Sequence, residues 1–193
     1  TDTQEHAEES SWIEETESTP SYSFICQPKY DGISVELVYE HGVLTKAITR
    51  GDGYVWEDIT ANARTIFSIP TILKAWESIS ILRVRGEIVM SKKSLERLNT
   101  ERTANGESLF ANVRNAASGS LRQLDTTVTA KRGLTCYVYE ILDIQATSET
   151  FLSWIGFETD TQALHWLWTQ WFLMHPWVKY ADNIDEVIAI CDS

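Results

Sequence analysis

The chain has 193 residues, 43% of them hydrophobic, so it is long enough to fold around one core and too apolar for a disordered protein. No stretch has the apolar length of a membrane span, and the acidic N-terminus excludes a secretory signal, so we expect a cytoplasmic protein without a membrane partner. The three cysteines have no CxxC spacing, fit a reducing compartment and predict no metal site built from protein residues. Composition leaves the oligomeric state open.

The formal charge of −12 is concentrated at the two ends of the chain. Residues 1–20 hold seven acids and no Lys or Arg, and residues 151–193 hold six acids and one lysine. Residues 21–150 carry fifteen acids and fifteen bases, so that part of the chain can still form a local positive site. We therefore predict an acidic disordered tail or linker over 1–20 and a folded domain over 21–193.

Hydrophobic periodicity and turn residues predict the elements of this domain. In chain order they are a strand Tyr22–Cys26, a hairpin of strands Ile33–Tyr39 and Val43–Thr49, a turn at 50–53, helical character over 57–66, a strand Ile81–Met90, a helix Lys92–Thr103 capped by Ser91, a loop at 110–124 around one or two short helices, a strand Leu134–Ile144, and helices Thr161–Phe172 and Ile184–Ile190, the latter capped by Asn183. Strand hairpins interleaved with helices predict an α+β fold with largely antiparallel sheets.

Lys29 lies just before a predicted strand, in the segment QPKYDG. One interpretation is an ordinary Asp-Gly turn beside a solvated lysine. The other is a nucleophile, since lysine performs covalent catalysis where burial or neighbouring cations help it to lose its proton. The segment alone favours the first interpretation.

Groups suited to a nucleotide occur elsewhere, at turns and strand ends. Arginine donates paired hydrogen bonds to phosphate, and a carboxylate accepts from ribose hydroxyls. The candidates are Arg50, Glu87, Arg114 and Arg122. Each of them alone is typical of a solvated surface residue.

Four segments favour a nucleotide site over a set of solvated surface residues. KYDG, TRGDGYVWEDITANARTI, VRGEIVM and FANVRNAASGSLRQLD resemble, in order and spacing, the signatures of the adenylation (nucleotidyltransferase) domain of NAD-dependent bacterial DNA ligases. The resemblance covers roughly residues 22–190. It implies an ATP-grasp-like nucleotidyltransferase fold. Because later motifs and further domains of the family do not occur before Ser193, we expect a truncated adenylation domain and a fragment of a ligase.

The resemblance implies a role for each matching residue. Lys29 matches the nucleophile that attacks the α-phosphorus of NAD, releases nicotinamide mononucleotide and keeps AMP. Asp31 and Gly32 complete the turn that aims this lysine. Gln27 stands where the family usually has Glu, facing adenine, and its amide oxygen can still accept from the exocyclic amine.

The remaining matches concern sugar and phosphate. Arg50 matches a residue that orients the nucleotide, and Glu87 one that holds the ribose of AMP. Arg114 and Arg122 match arginines that serve the AMP phosphate and the 5′-phosphate at a nick. The implied substrates and partners are NAD, Mg²⁺ and nicked double-stranded DNA, in replication and repair.

Two rival functions remain open from the sequence. KYDG alone also fits ATP-dependent ligases and RNA-capping enzymes, which would take the nucleotide from a triphosphate; the longer signatures favour NAD. A fragment without the later motifs could also be a catalytically dead module that binds nucleotide or nicked DNA.

Four tryptophans stand in stretches that read naturally with glycine: Trp56, Trp168, Trp171 and Trp177. One explanation is genuine aromatic packing. The other is that a codon read as Gly in the source organism has been translated as Trp. A tryptophan at a position that requires positive φ would be strained.

Overall fold

The computed structural model describes residues 23–49 and 56–193 and contains helices together with antiparallel strands. The strands are β1 (Phe24–Cys26), β2 (Ile33–Glu40), β3 (Val43–Thr49), β4 (Glu57–Asp58), β5 (Ile79–Met90), β6 (Leu134–Ala146) and β7 (Lys179–Ala181). The helices are α1 (Thr60–Ala63), α2 (Lys92–Ala104), α3 (Val113–Leu121), α4 (Thr126–Ala130), α5 (Glu149–Ile155), α6 (Asp160–Thr169) and α7 (Ile184–Cys191). Five strands form one sheet in the order β4-β3-β2-β5-β6, and β1 pairs with β7 in a second sheet.

The predicted α+β architecture with antiparallel pairing is confirmed. The side chains of Ser91 and Asn183 cap α2 and α7 as expected. The tail predicted over 1–20 and the turn predicted at 50–53 lie outside the described residues. No helix in the described ranges is long and apolar enough to cross a membrane.

Strand β2 runs through the middle of the large sheet and separates an apolar face from a polar one. Val35, Leu37 and Tyr39 alternate along the strand and are fully buried. The ring of Tyr39 packs edge-on against Phe172 at 5.5 Å. On the opposite face Glu36 accepts a hydrogen bond from Arg83 Nε at 2.7 Å. Polar side chains are therefore available on one face of this sheet.

The helix predicted over 57–66 is wrong for most of its length. Asp58 Oδ1 accepts from the backbone N–H of Thr60 at 2.9 Å and from its hydroxyl at 2.6 Å. The hydroxyl of Thr60 in turn accepts from the N–H of Ala47 on β3 at 2.9 Å. These short-range bonds hold β4 against β3 and leave only a four-residue helix, because they compete with helical hydrogen bonds.

The helix predicted over Thr161–Phe172 ends three residues early. The N–H of Trp171 donates to Trp168 O at 3.0 Å, and the N–H of Phe172 donates to Leu167 O at 3.3 Å. This pair of bonds forms a Schellman motif, in which the residue after the C-cap takes the left-handed conformation. That residue is Trp171, with φ of 71°. A glycine would suit this position better than any residue with a Cβ.

The four tryptophans that read as glycines are not core residues. Trp56, Trp168, Trp171 and Trp177 are between 36% and 62% exposed, whereas Trp166 is 8% exposed. Burial in the core therefore does not account for these four residues, although Trp171 carries the ammonium of Lys74 over its ring at 4.9 Å and Trp168 lies 5.9 Å from the ring of His165. Whether a codon is read differently in the source organism stays a prediction.

Trp171→Gly is expected to stabilise the protein by about 0.5–1 kcal/mol. Relief of the left-handed torsion gains roughly 1–2 kcal/mol, and loss of the cation–π contact costs about 0.5–1 kcal/mol. Trp168→Gly is the matched control, since Trp168 is equally exposed but helical, where glycine costs about 1 kcal/mol. Chemical denaturation of both variants checks the opposite signs. Equal destabilisation by the two changes would contradict the account of Trp171.

Candidate active site

A cavity of about 390 Å³ lies where the segment after β1 enters β2. It brings together four residues that the sequence singles out from three distant segments: Gln27 and Lys29, Glu87 on β5, and Arg114 on α3. The rest of its lining is Pro28, Tyr30, Ser34 and Tyr139. Lys29 is exposed at this cavity, so its ammonium is accessible to a ligand.

Glu87 is tied to the loop that carries Lys29. The pairing of β2 with β5 places Ser34 directly opposite Glu87. The N–H of Gly32, two residues earlier, donates to Glu87 Oε1 at 3.2 Å, and this bond is buried. The carboxylate therefore fixes the end of the Lys29 loop while the rest of the group faces the cavity.

The protonation of Glu87 reflects opposing effects. Burial raises the pKa of its carboxyl above the ordinary value, because a low-dielectric setting disfavours the charged form. The hydrogen bond from Gly32 and the positive charges of Arg114 and Lys29 act to lower the pKa, and Asp31 acts to raise it. Arg114 and Lys29 are thus close enough to Glu87 to affect its pKa, so one carboxylate and two cations share a single small site.

An aromatic cluster supports the same loop from its other side. Tyr30 stacks on Tyr137 with centroids 5.4 Å apart and on Tyr139 at 6.1 Å, and His175 meets its ring edge-on at 6.0 Å. Burial, with smaller effects of the neighbouring tyrosines, raises the pKa of Tyr30 to about 12, although a backbone hydrogen bond from His175 acts to lower it. The position of Lys29 is therefore set by packing of the next residue.

Sequence reasoning missed Tyr30 and Tyr139 as site residues. A signal was present, since Tyr137 and Tyr139 are two residues apart on β6 and alternate with the buried Cys136 and Val138. This alternation puts both tyrosines on one face of the strand. It does not say which loop they meet.

A second cavity, of about 580 Å³, adjoins the first and shares Gln27 and Tyr139 with it. Its lining includes three acids, Glu140, Glu158 and Asp160, and no Lys or Arg. Phosphate groups would be repelled from these carboxylates and attracted to Lys29 and Arg114 in the smaller cavity. Charge, rather than size, therefore makes the smaller cavity the one better suited to a phosphate group.

Among the described residues, three predicted site residues do not line the Lys29 cavity: Asp31, Gly32 and Arg122. Arg122, the C-cap of α3, contacts Glu57 with its Nε 3.0 Å from the carboxylate. Asp31 is exposed beside the cavity. Arg50 lies outside the described residues. In the described ranges no three or more His, Cys, Asp or Glu residues are grouped so as to hold a metal ion.

Comparison with known proteins gives a consistent result. The family model of the NAD-dependent DNA ligase adenylation domain matches residues 2–193. The chain is 48% identical over 167 residues to a DNA ligase of Carboxydothermus hydrogenoformans, which covers 86% of this chain and 23% of that protein. It is 53% identical over 131 residues to a DNA ligase of Aliarcobacter butzleri, covering 67% of this chain and 20% of that protein.

A DNA ligase of Thermoanaerobacter sp. (strain X514) is 46% identical over 172 residues, covering 89% of this chain and 24% of the relative. The chain thus spans about a quarter of the length of the curated relatives it matches. The family match extends over almost the whole sequence and includes all four signature segments. The chain belongs to the NAD-dependent DNA ligase adenylation domain family.

Proposed function

We propose that this chain attaches AMP from NAD to its own Lys29, as the first step of DNA nick sealing. The observation that carries the proposal is the meeting of Lys29, Glu87 and Arg114 in one cavity. All three stand in segments that resemble the family signatures. An ordinary turn with a solvated lysine would not require a buried carboxylate and an unpaired arginine at the same cavity. Glu87 is buried, and Arg114 forms no ion pair with the described residues.

In the proposed step the neutral amine of Lys29 attacks the α-phosphorus of NAD. A phosphorus–nitrogen bond forms, the bond from phosphorus to the bridging oxygen breaks, and nicotinamide mononucleotide leaves with that electron pair; the amine proton passes to water. Arg114 offsets the charge that builds up on the phosphate oxygens. Glu87 accepts from ribose hydroxyls, and Gln27, at the boundary of the two cavities, accepts from adenine.

The remaining untested assignments belong to the same proposal. Asp31 and Gly32 shape the loop of Lys29, Arg50 orients the nucleotide, and Arg122 serves the 5′-phosphate of nicked double-stranded DNA. AMP passes to that phosphate, and the neighbouring 3′-hydroxyl then displaces it. The domain spans 21–193 after an acidic segment 1–20, has an ATP-grasp-like nucleotidyltransferase fold and acts in the cytoplasm as part of a longer ligase.

Mg²⁺ fits this site only as an ion held largely by the nucleotide. Magnesium sites commonly use one or two carboxylates together with substrate phosphates. The cavity offers the carboxylate of Glu87, one of whose oxygens already accepts from Gly32. When bound, the ion would offset phosphate charge.

Labelled cofactors test the proposal. The chain is incubated with NAD labelled in its adenylate, with NAD labelled in its nicotinamide nucleotide, and with ATP labelled in its adenylate. Covalent label from the first reagent alone supports the proposal. Label from ATP instead would favour an ATP-dependent nucleotidyltransferase, and saturable binding without covalent label would favour a catalytically dead module.

Glu87→Gln is expected to stabilise the fold and weaken nucleotide use. The amide can still accept from Gly32, but it removes a buried charge, so we expect a gain of about 1 kcal/mol, or roughly 2–4 °C in Tm. Loss of a charge-assisted bond to ribose should raise the KM for NAD about tenfold. Melts and initial rates of AMP transfer measure the two effects, with the exposed Glu77→Gln as control.

The pH dependence gives a sign to this gain. A carboxyl whose pKa is raised on folding stabilises the protein at pH values below its pKa in the unfolded state. That stabilisation is lost as the pH rises through its pKa in the folded state. The advantage of Glu87→Gln over the native chain should therefore grow between about pH 4 and 7. An advantage that shrinks over this range would contradict the raised pKa of Glu87.

Arg122→Ala is expected to spare adenylation of Lys29 and to impair transfer of AMP to nicked DNA. Arg122 lies outside the Lys29 cavity and pairs with Glu57, so the proposal assigns it to a phosphate other than that of AMP. Removing one such donor typically costs 10²–10³-fold in rate. Single-turnover transfer from pre-adenylated protein measures this loss. An equal loss in both steps would place Arg122 at the AMP phosphate instead.

A further inference from the structure

A third cavity, of about 300 Å³, lies between α2 and the turn that follows α4. Its lining is Arg97, Leu98, Glu101, Val128, Lys131 and Arg132. Three of these side chains are cationic and one is acidic. A surplus of two positive charges around one cavity is notable in a chain whose net charge is −12.

The guanidinium of Arg132 is not satisfied by the protein. Its Nε is buried and has no hydrogen-bond partner among the described residues. Buried polar atoms are nearly always paired with protein, water or ligand, so Arg132 Nε is a donor that no described residue uses. Arg97 donates from Nη2 to the backbone carbonyl of Lys131 at 2.8 Å. This bond holds the guanidinium of Arg97 at the same cavity.

The acids of the described ranges do not neutralise these cations. Each ion pair there involves a different arginine: Arg83, Arg85, Arg102 or Arg122. Glu101 lines the cavity but forms no ion pair within 4.0 Å in the described part of the chain. The charges of Arg97, Lys131 and Arg132 therefore remain available to an anion.

We infer that this cavity binds a phosphate group of the nucleic-acid backbone. The Nε and one Nη of a guanidinium donate in parallel, a geometry that matches two oxygens of a phosphate. Leu98 and Val128 offer no hydrogen bonds to base edges, so the contact adds affinity without sequence preference. The inference rests on the proposed function, in which the partner is DNA.

This contact is separate from the reacting phosphates. None of its residues lines the Lys29 cavity, and the cavity is built by α2 and the end of α4 rather than by α3 with Arg114. Its loss should weaken DNA binding and leave the chemistry at Lys29 unchanged. Affinity for DNA and adenylation can therefore be measured as independent quantities.

The experiment measures binding of the 193-residue chain to a fluorescent nicked duplex by anisotropy, over a series of salt concentrations. The variants are Arg132→Gln and Arg97→Gln, with the exposed Lys46→Gln on β3 as a control for loss of one charge. Each arginine variant should weaken binding several-fold and reduce the slope of log K against log salt by about 0.9 for each lost phosphate contact. Lys46→Gln should leave the slope unchanged.

Arginine variants that behave like Lys46→Gln, or a native chain that does not bind the duplex at low salt, would overturn the inference. If Arg132→Gln lowers Tm, the exposed Arg97→Gln decides the outcome. Labelling of Lys29 from NAD is followed in the same variants. Reduced labelling with unchanged DNA affinity would assign the cavity to NAD and overturn the inference, whereas a native chain without label would contradict only the proposed function.

Discussion

Replacement of Lys29 by alanine is expected to abolish formation of the AMP adduct completely. Among the described residues, Lys29 is the one amine lining the cavity that also holds Glu87 and Arg114, so no neighbour can take its place as nucleophile. Because Lys29 is exposed, its removal should change the free energy of unfolding by no more than about 0.5 kcal/mol. Intact mass after incubation with NAD, together with a thermal melt, measures both quantities.

Lys29→Arg should be as inactive as Lys29→Ala, because a guanidinium keeps its proton at working pH and cannot attack phosphorus. Lys46→Ala, which removes an exposed lysine outside the cavity, is the control and should be adenylated at the native rate. An adduct at the native level in either Lys29 variant would remove this residue from the mechanism.

Replacement of Gly32 by alanine is expected to cost about 3 kcal/mol of stability, at the upper end of the effects of overpacking. The reason is space and not torsion, since Gly32 does not have positive φ. A Cβ at this position would run into the backbone carbonyl of Ile88 and lie 2.9 Å from its carbon, with Val89 Cγ1 at 2.8 Å. The strand must move away, which also lengthens the bond from Gly32 to Glu87.

Gly106→Ala provides the comparison. Gly106 has φ of 70° and nothing within 4 Å of an added Cβ, so only the torsion changes, at a cost of about 1 kcal/mol. Urea denaturation of both variants separates crowding from torsion. A cost at Gly32 no larger than that at Gly106 would show that β2 and β5 are not packed as closely as described. Adenylation by Gly32→Ala should fall as well, because the loop of Lys29 shifts with the strand.

The local elements of the fold follow from the sequence. Strand β3 has the predicted bounds Val43–Thr49, and the caps of α2 and α7 lie at Ser91 and Asn183. In each case the signal is contained in a few neighbouring residues, as alternation along a strand or as a side-chain oxygen before a helix. Such signals need no knowledge of the rest of the chain.

Pairings between distant segments could not be predicted in this way. Phe24 on β1 pairs with Ala181 on β7, and both strands have only three residues, too few for a visible period. The end of α6 was misplaced because Trp171 takes a left-handed torsion that its side chain does not favour. Local propensity gives way there to the hydrogen bonds that close the helix.

In the candidate site, too, some residues can be identified from the sequence, whereas the contacts between distant segments cannot. Resemblance to the family singles out Lys29 and Glu87, and the fold brings them into one cavity. Stacking of Tyr30 on Tyr137 links residues more than a hundred positions apart, and the pairing of Arg122 with Glu57 likewise joins separate segments. These contacts depend on the register of β5 with β6 and on the position of α3, neither of which the sequence pattern specifies.

Peptide mapping of the chain after incubation with NAD decides whether Lys29 is the nucleophile. If it is, the peptide that contains Lys29 gains the mass of one adenylyl group through an acid-labile phosphoramide bond, and one nicotinamide mononucleotide is released per adduct. An unmodified Lys29 peptide, with the adenylyl group absent or on another residue, would show that Lys29 does not attack NAD.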